Sequence, residues 1–329
     1  RAHRYKEAYD QLPQNLILGS ETASTVSSRG VYKFPVEDKK SATYDDHQCS
    51  SYDVEACSWS NIPDEDFALA DDNHWTIGQF VWTGFDYLGE PSPYDTNAWP
   101  NHSSMFGIID LASIPKDRYY LYRSVWNKKA ETLHILPHWT WPGREGKVTP
   151  VFVYTNHPTA ELFINGKSYG KQSKNNSSLK NRYRLMWMDA VYEPGEIKVV
   201  AYNKDGKAVA EKIVRTAGKP HHIELVSNRN KLTADGKDLA YITVKVVDKD
   251  GNLCPADSRQ INFSVKGAGK YRAAANGDPT NLEQFHLPKM HTFNGMLTAI
   301  VQSGETAGEI VLTAKASGVK AGNIRIQTK

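Results

Sequence analysis

The sequence has no apolar run long enough to cross a membrane, few cysteines and no block of like charge. A membrane-spanning helix needs about 20 consecutive apolar residues, so we expect no membrane span. The 40 basic and 37 acidic side chains are scattered and leave a net charge of +3. Because nucleic-acid binding calls for a basic patch or stripe, nucleic acid is not an expected partner.

Three cysteines, Cys49, Cys57 and Cys254, are too few for a disulfide framework. Cys49 and Cys57 are close enough in sequence to bridge, and this possibility stays open beside that of three ordinary thiols. The histidines are scattered and no Cys-x-x-Cys pair occurs, so no metal site is predicted. Nothing in the sequence indicates a cofactor.

What the sequence does have is the composition of a folded globular protein. Hydrophobic residues make up 40% and charged residues 23% of its 329 residues, which argues against disorder. This length fits two or three domains. Local patterns predict three segments, residues 1–127, 128–218 and 219–329.

The first segment reads as α/β material. We expect a helix over residues 2–12, buried strands over 16–19 and 77–85, and a helix over 115–126. The polar region 37–73 is too irregular to assign. Strand, loop, strand, loop and helix in this order are typical of an α/β fold with polar residues at the strand ends.

The other two segments show short alternating strands and turn signals, which predict a β-sandwich in each. Asn165–Gly166 between two apolar runs is a strong hairpin signal because both turn positions favour positive φ. The expected strands are 149–155, 161–164, 196–202, 208–215, 240–247 and 261–265.

Glu21 is a candidate functional carboxylate. It follows a short apolar strand, and barrel enzymes place catalytic groups at the carboxyl ends of parallel strands. From the residues alone, an ordinary surface glutamate in a turn is the more common situation.

Several short motifs along the chain occur in the order of a known enzyme family. In the first segment they are NLILGSETAST (15–25), GQFVWTGFDYLGEP (78–91), SSMFGIID (103–110) and PKDR (115–118). The later segments add YTN (154–156), ELFINGK (161–167), ADGKDL (234–239) and NGDP (276–279). Together they resemble glycoside hydrolase family 2 β-galactosidases of gut Bacteroidetes, and the resemblance spans nearly the whole chain.

This resemblance implies a fold and a reaction. Residues 1–127 would be the C-terminal portion of a TIM (β/α)8 barrel, and 128–218 and 219–329 two immunoglobulin-like β-sandwiches. Glu21 would be the nucleophile of a retaining β-galactosidase, forming a covalent glycosyl-enzyme intermediate. The family's acid/base residue follows an Asn on an earlier strand, but no Asn-Glu dipeptide occurs here. We therefore expect this chain alone to be inactive.

The resemblance also implies residues that bind the sugar. Trp82 matches a tryptophan that walls the sugar pocket, although a core aromatic remains the alternative. Asp86 matches a carboxylate near the pocket, with ordinary helix or loop capping as the alternative. Phe106 matches an aromatic residue beside the galactose site, and Glu90 and Trp99 are candidates for the aglycone side.

The expected substrate is a terminal, non-reducing β-galactoside. Related β-glucuronidases carry Asn-x-Lys where this chain has Ser104, Met105 and Phe106. Without a cation there, the carboxylate of a uronic acid would be desolvated without a partner, which is costly.

A different class of function stays open: a non-catalytic carbohydrate-binding or adhesive β-sandwich protein with a vestigial catalytic segment. If the protein is an enzyme, the expected partners are the galactoside and the N-terminal part of the same enzyme. We expect this part to precede residue 1, because the resemblance places residue 1 in the middle of the barrel. The resemblance implies a periplasmic or secreted location. The oligomeric state is not predicted.

Overall fold

The computed structural model describes residues 2–14 and 16–329. It divides into two compact units, one comprising the residues up to Asp110 together with Pro115–Arg215 and the other Leu111–Ile114 together with Thr216–Lys329. The predicted boundary at residue 127 falls inside the first unit, and separate domains on either side of it stay a prediction. Within the described ranges, no helix is long and apolar enough to cross a membrane.

The first unit combines short helices with mostly short strands. Its helices are α1 (Tyr5–Gln11), α2 (Pro63–Asp72), α3 (Asp117–Trp126) and α4 (Leu179–Tyr183), with 3-10 helices at Ala2–Arg4 and Asp95–Asn97. Its strands are β1 (Ile17–Thr22), β2 (Lys39–Lys40), β3 (Glu55–Ala56), β4 (Thr76–Val81), β5 (Leu133–Leu136), β6 (Val151–Thr155), β7 (Thr159–Ile164), β8 (Lys167–Ser173), β9 (Leu185–Trp187), β10 (Glu196–Tyr202) and β11 (Ala208–Arg215).

Strands β1 and β4 pair in parallel, with Thr22 opposite Val81. Two strands were predicted here, but the prediction that they are buried is wrong. Leu18 is 49%, Ile77 58% and Phe80 64% exposed. The reason is that, among the described residues, β1 and β4 form a sheet of only two strands, so no neighbouring strand covers these apolar side chains.

Helix α2 lies in the region that sequence patterns left unassigned. Its first residue is Pro63, and Asp64, Glu65 and Asp66 follow in the first turn. Proline at the first helical position and acidic residues in the first turn both favour a helix start. The helix is held in the core by Phe67, which is 1% exposed.

Strand β6 joins two hydrophobic clusters of the first unit. Val151 and Val153 face one cluster with Trp139, whereas Phe152 and Tyr154 face another that includes residues of α2 and α3. All five residues of the strand are buried. The alternating pattern predicted here therefore does not separate a solvent-exposed face from a buried one, because both faces of β6 are buried.

The remaining strands of the first unit form two antiparallel sheets, with strand orders β5-β6-β9 and β11-β10-β7-β8. The predicted hairpin at Asn165–Gly166 is confirmed, since these residues have φ values of 49° and 80°. The expected strands 196–202 and 208–215 are confirmed as well, as β10 and β11, which pair antiparallel.

The second unit is built from strands that share one core. They are β12 (His222–Ser227), β13 (Lys231–Leu232), β14 (Leu239–Val247), β15 (Gln260–Gly267), β16 (Gly269–Ala275), β17 (Lys289–His291), β18 (Met296–Ser303), β19 (Gly308–Lys315) and β20 (Gly322–Thr328). They form two sheets, ordered β12-β14-β18-β16 and β13-β20-β19-β15-β17. Pairing is antiparallel except between β13 and β20. Buried side chains of both sheets, such as Val244 and Leu312, meet in one cluster.

Candidate active site

Glu21 is presented at the carboxyl end of β1. Its side chain is exposed, whereas the next residue, Thr22, is buried. The Thr22 hydroxyl donates to Gln79 Oε1 at 2.8 Å and lies 3.3 Å from the Phe80 carbonyl oxygen. Ala23 follows with a φ of 46°, a left-handed conformation that is uncommon for a residue with a side chain. The strand is therefore fixed to β4 up to Thr22 and turns immediately after it.

Trp82 directly follows β4 and lies beside this end of β1. Its backbone N–H donates to the Thr22 carbonyl oxygen at 2.7 Å. The half-buried indole meets the ring of Tyr87 edge-on, with ring centroids 6.1 Å apart. Parallel pairing thus brings Glu21 and Trp82, 61 positions apart in sequence, to the same edge of the sheet.

Asp86 is buried and fully engaged by the protein. Its Oδ2 lies 2.6 Å from the Lys116 ammonium, and its Oδ1 accepts a 2.8 Å hydrogen bond from the Gly107 N–H. Burial raises the pKa of Asp86 to about 6, against the opposing effect of Lys116. The alternative of loop capping describes these contacts, and a contact with a sugar hydroxyl stays a prediction.

Lys116 and Arg118 tie down the segment around Gly107 from α3 and the residue before it. Lys116 Nζ donates to the carbonyl oxygens of Ser27 at 2.6 Å and Met105 at 3.2 Å. Arg118 Nη2 donates to those of Phe106 at 2.8 Å and Gly107 at 3.0 Å. Burial lowers the pKa of Lys116. The sequence analysis gave these two residues no role, because their contacts with Asp86 and the loop carbonyl groups become visible only in the folded structure.

The other predicted site residues differ in exposure. Phe106 is 1% exposed and belongs to a buried cluster with Val26 and Met105. Trp99 is 71% exposed, and Glu90 is exposed with a φ of 47°. Phe106 therefore packs inside the protein, whereas Glu90 and Trp99 are accessible to a ligand.

Tyr87 was not among the predicted residues. Its hydroxyl donates a short hydrogen bond to Glu90 Oε2. Burial raises the pKa of Tyr87, as do the hydrogen bond to Glu90 and the charges of Glu90 and Glu21, while Trp82 opposes the rise. Tyr87 is therefore within electrostatic reach of Glu21. The only sequence signal was its place in the phrase that contains Trp82.

The cysteines and histidines form no metal centre in the part of the chain that the structure describes. No group of three or more His, Cys, Asp or Glu side chains is placed to hold an ion there. Cys49, Cys57 and Cys254 are buried free thiols. One four-residue histidine spacing does occur, but His134 Nε2 bonds Asp117 Oδ1 at 2.6 Å and His138 stacks on Trp141.

Comparison of the chain with known proteins identifies its family. Residues 223–325 match glycoside hydrolase family 2 C-terminal domain 5, and residues 146–210 match a domain of unknown function (DUF4982). Beta-galactosidase BoGH2A of Bacteroides ovatus is 40% identical over 326 residues, which are 96% of this chain and 37% of that protein. The chain belongs to glycoside hydrolase family 2.

A further relative and a solved structure extend the comparison. A beta-glucuronidase of Formosa agariphila is 25% identical over 266 residues, which are 79% of this chain and 26% of that protein. The crystal structure of a beta-glycosidase from Bacteroides vulgatus superposes with a TM-score of 0.85 at 30% identity, covering 98% of this chain and 43% of that one. The chain thus spans less than half the length of each of these relatives and corresponds to their family's C-terminal domains.

Proposed function

We propose that this chain carries the nucleophile-bearing end of a retaining β-galactosidase. Residues 1–127 would be the C-terminal portion of a (β/α)8 barrel, and residues 128–218 and 219–329 two immunoglobulin-like sandwiches. The observation that carries the proposal is the exposed carboxylate of Glu21 at the carboxyl end of a parallel strand, next to Trp82. Active sites of (β/α)8 barrels lie at that end of their strands.

In the proposed reaction, a carboxylate oxygen of Glu21 attacks the anomeric carbon as the glycosidic C–O bond breaks. A second carboxylic acid protonates the leaving oxygen and then, as a base, activates the water that hydrolyses the ester. In retaining enzymes the two carboxyl groups lie about 5–5.5 Å apart. We assign the second group to the part of the complete protein that precedes this chain.

The exposed apolar side chains of β1 and β4 support this division. Leu18, Ile77 and Phe80 are each about half exposed or more, and burying such side chains contributes roughly 1.5–3 kcal/mol each. A closed barrel would cover one face of these strands with helices and fill the other with side chains from neighbouring strands. We therefore expect residues 1–329 alone to show no glycosidase turnover.

A neutral galactoside is the proposed substrate. Ser104, Met105 and Phe106 supply no cation, and the nearby ammonium of Lys116 is 1% exposed and paired with Asp86. The carboxylate of a uronic acid would find no partner on this segment, at a cost of several kcal/mol. Relatives named as beta-galactosidase and as beta-glucuronidase both match the chain, so both substrates belong in the test. The periplasmic or secreted location stays a prediction.

Kinetics of the Glu21→Gln variant in the complete protein test the proposal. Glutamine keeps the shape but removes the attacking charge, so kcat on nitrophenyl β-galactoside should fall by about 10³-fold or more. Glu145→Gln is the matched control, because Glu145 is an exposed loop glutamate of the same unit, and its kcat should not change.

Retained activity in Glu21→Gln would overturn the assignment of the nucleophile. Faster turnover of nitrophenyl β-glucuronide than of the galactoside by the unaltered protein would overturn the proposed substrate. Galactose binding without turnover of either substrate would favour the non-catalytic carbohydrate-binding function instead.

A further inference from the structure

Tyr87 lies within the electrostatic range of the proposed nucleophile Glu21 and is hydrogen-bonded to Glu90. The Tyr87 ring is half-buried and packs edge-on against Trp82 at a centroid distance of 6.1 Å. Its hydroxyl group donates to the exposed carboxylate of Glu90. One side chain thus contacts both Trp82, the proposed sugar wall, and the carboxylate of Glu90.

The backbone around this pair is fixed. The Tyr87 N–H donates to Ser104 Oγ at 3.1 Å, and the Tyr87 carbonyl oxygen accepts the Ser104 N–H at 2.8 Å. The Gly89 N–H donates to the His102 carbonyl oxygen at 2.8 Å. These hydrogen bonds hold the backbone that places the Tyr87 ring next to Trp82.

Glu90 is held in a conformation that a glutamate rarely adopts. Its φ of 47° lies in the left-handed region, which costs a residue with a side chain about 1 kcal/mol or more. Its carboxylate, although exposed, accepts the hydrogen bond of the Tyr87 hydroxyl.

The Tyr87 hydroxyl is a hydrogen-bond donor at neutral pH, as tyrosine hydroxyls ordinarily are. Burial raises the pKa of Tyr87, and the hydrogen bond to Glu90 and the charges of Glu90 and Glu21 raise it further. With Glu90 as its acceptor, the hydroxyl has a defined orientation.

We propose that Tyr87 is a positioning residue, whose hydroxyl, oriented by Glu90, fixes Trp82 and the space in front of Glu21 in the geometry that the attack on the sugar requires. This inference rests on the proposed function and deepens it. A displacement of about 1 Å in a reacting geometry can cost roughly 100-fold in rate. Glu90 acts through Tyr87, so the two residues form one unit.

The test is a double-mutant cycle in the complete protein with nitrophenyl β-galactoside. Tyr87→Phe and Glu90→Leu should each lower kcat by about 10- to 100-fold, and the double variant should lose no more than the worse single one, because residues that act as a unit are non-additive. Glu90→Gln keeps an acceptor oxygen and should restore most of the rate. Tyr241→Phe, an exposed tyrosine of the second unit, is the matched control.

Two results would overturn the inference: additive losses in the double variant, or kcat within twofold of the unaltered protein in Tyr87→Phe. The Tm of each variant shows whether the substitution impairs folding. If Tyr87→Phe lowers Tm, the Glu90 variants still test the inference, because Glu90 is exposed. Failure of the proposed function would show differently: a 2-fluoro-galactoside would leave no covalent sugar on Glu21 of the unaltered protein. Covalent labelling of Glu21, together with unchanged kinetics in Tyr87→Phe, would refute the positioning role alone.

Discussion

Replacing Lys116 by methionine removes the cation from a buried ion pair that supports the candidate site. The side chains of Lys116 and Asp86 are 1% and 5% exposed, and their charged atoms lie 2.6 Å apart. Methionine keeps most of the volume of lysine, so the losses are the charge and the hydrogen bonds from Nζ to the carbonyl oxygens of Ser27 and Met105. The Asp86 carboxylate would stay buried without its counter-ion.

Breaking a buried ion pair on one side typically costs about 3–5 kcal/mol, and we expect a loss of that size in the free energy of unfolding at pH 7. Burial already raises the pKa of Asp86 to about 6 with Lys116 in place, so without the cation this pKa rises further. An acid whose pKa is higher in the folded than in the unfolded state destabilises the fold increasingly as pH rises. The loss should therefore shrink as the pH falls from 7 toward 4.

Urea unfolding followed by tryptophan fluorescence measures this loss. All eight tryptophans lie in the first unit, so the signal reports on the unit that contains the pair. With a slope of about 2 kcal/mol per M, the midpoint should move by about 1.5–2.5 M. Lys6→Met is the control, because Lys6 pairs with Asp10 on the surface and such pairs contribute about 0–1 kcal/mol. A midpoint for Lys116→Met equal to that of Lys6→Met would refute the reasoning.

Two further substitutions test the electrostatics and the backbone of the first unit. Burial raises the pKa of Asp66 to about 6, against its hydrogen bond from Asn61. Asp66→Asn should therefore raise the free energy of unfolding by about 1–3 kcal/mol at pH 7, and this gain should disappear as the pH falls toward 4. A gain in urea titrations that does not depend on pH would contradict this. A Cβ at Gly107 would lie 2.2 Å from the Asp86 backbone nitrogen, whereas one at Gly166, with φ +80°, meets nothing. Gly107→Ala should therefore lower the free energy of unfolding by more than about 3 kcal/mol, and the comparison variant Gly166→Ala by about 1 kcal/mol. Equal losses would show that the close approach at Gly107 does not matter.

Local sequence signals predicted those parts of the fold that local physics decides. The Asn165–Gly166 turn and the helix ending at Trp126 are confirmed, because turn geometry and helical periodicity depend on a few neighbouring residues. The alternation in β14 is confirmed for the same reason. The parallel pairing of β1 with β4 also agrees with the strand-end reading of Glu21.

Features set by distant neighbours were missed or wrong. Leu18 and Phe80 read as buried because they are apolar, but exposure depends on which elements cover a strand. Helix α2 was hidden in a polar region whose acidic residues are partly buried by contacts far along the chain, such as that of Asp64 with Arg184. The pairing of Lys116 with Asp86 spans 30 positions, and no periodicity reports it.

Covalent labelling of the complete protein tests the central claim most directly. A 2-fluoro-galactoside with a good leaving group forms the glycosyl ester but hydrolyses slowly, because fluorine destabilises the oxocarbenium-like transition states on both sides of the intermediate. Peptide mapping should find the sugar on the peptide that contains Ser20, Glu21 and Thr22, and no label in Glu21→Gln. A label on Glu90 or another carboxylate would contradict the assignment of Glu21 as the nucleophile.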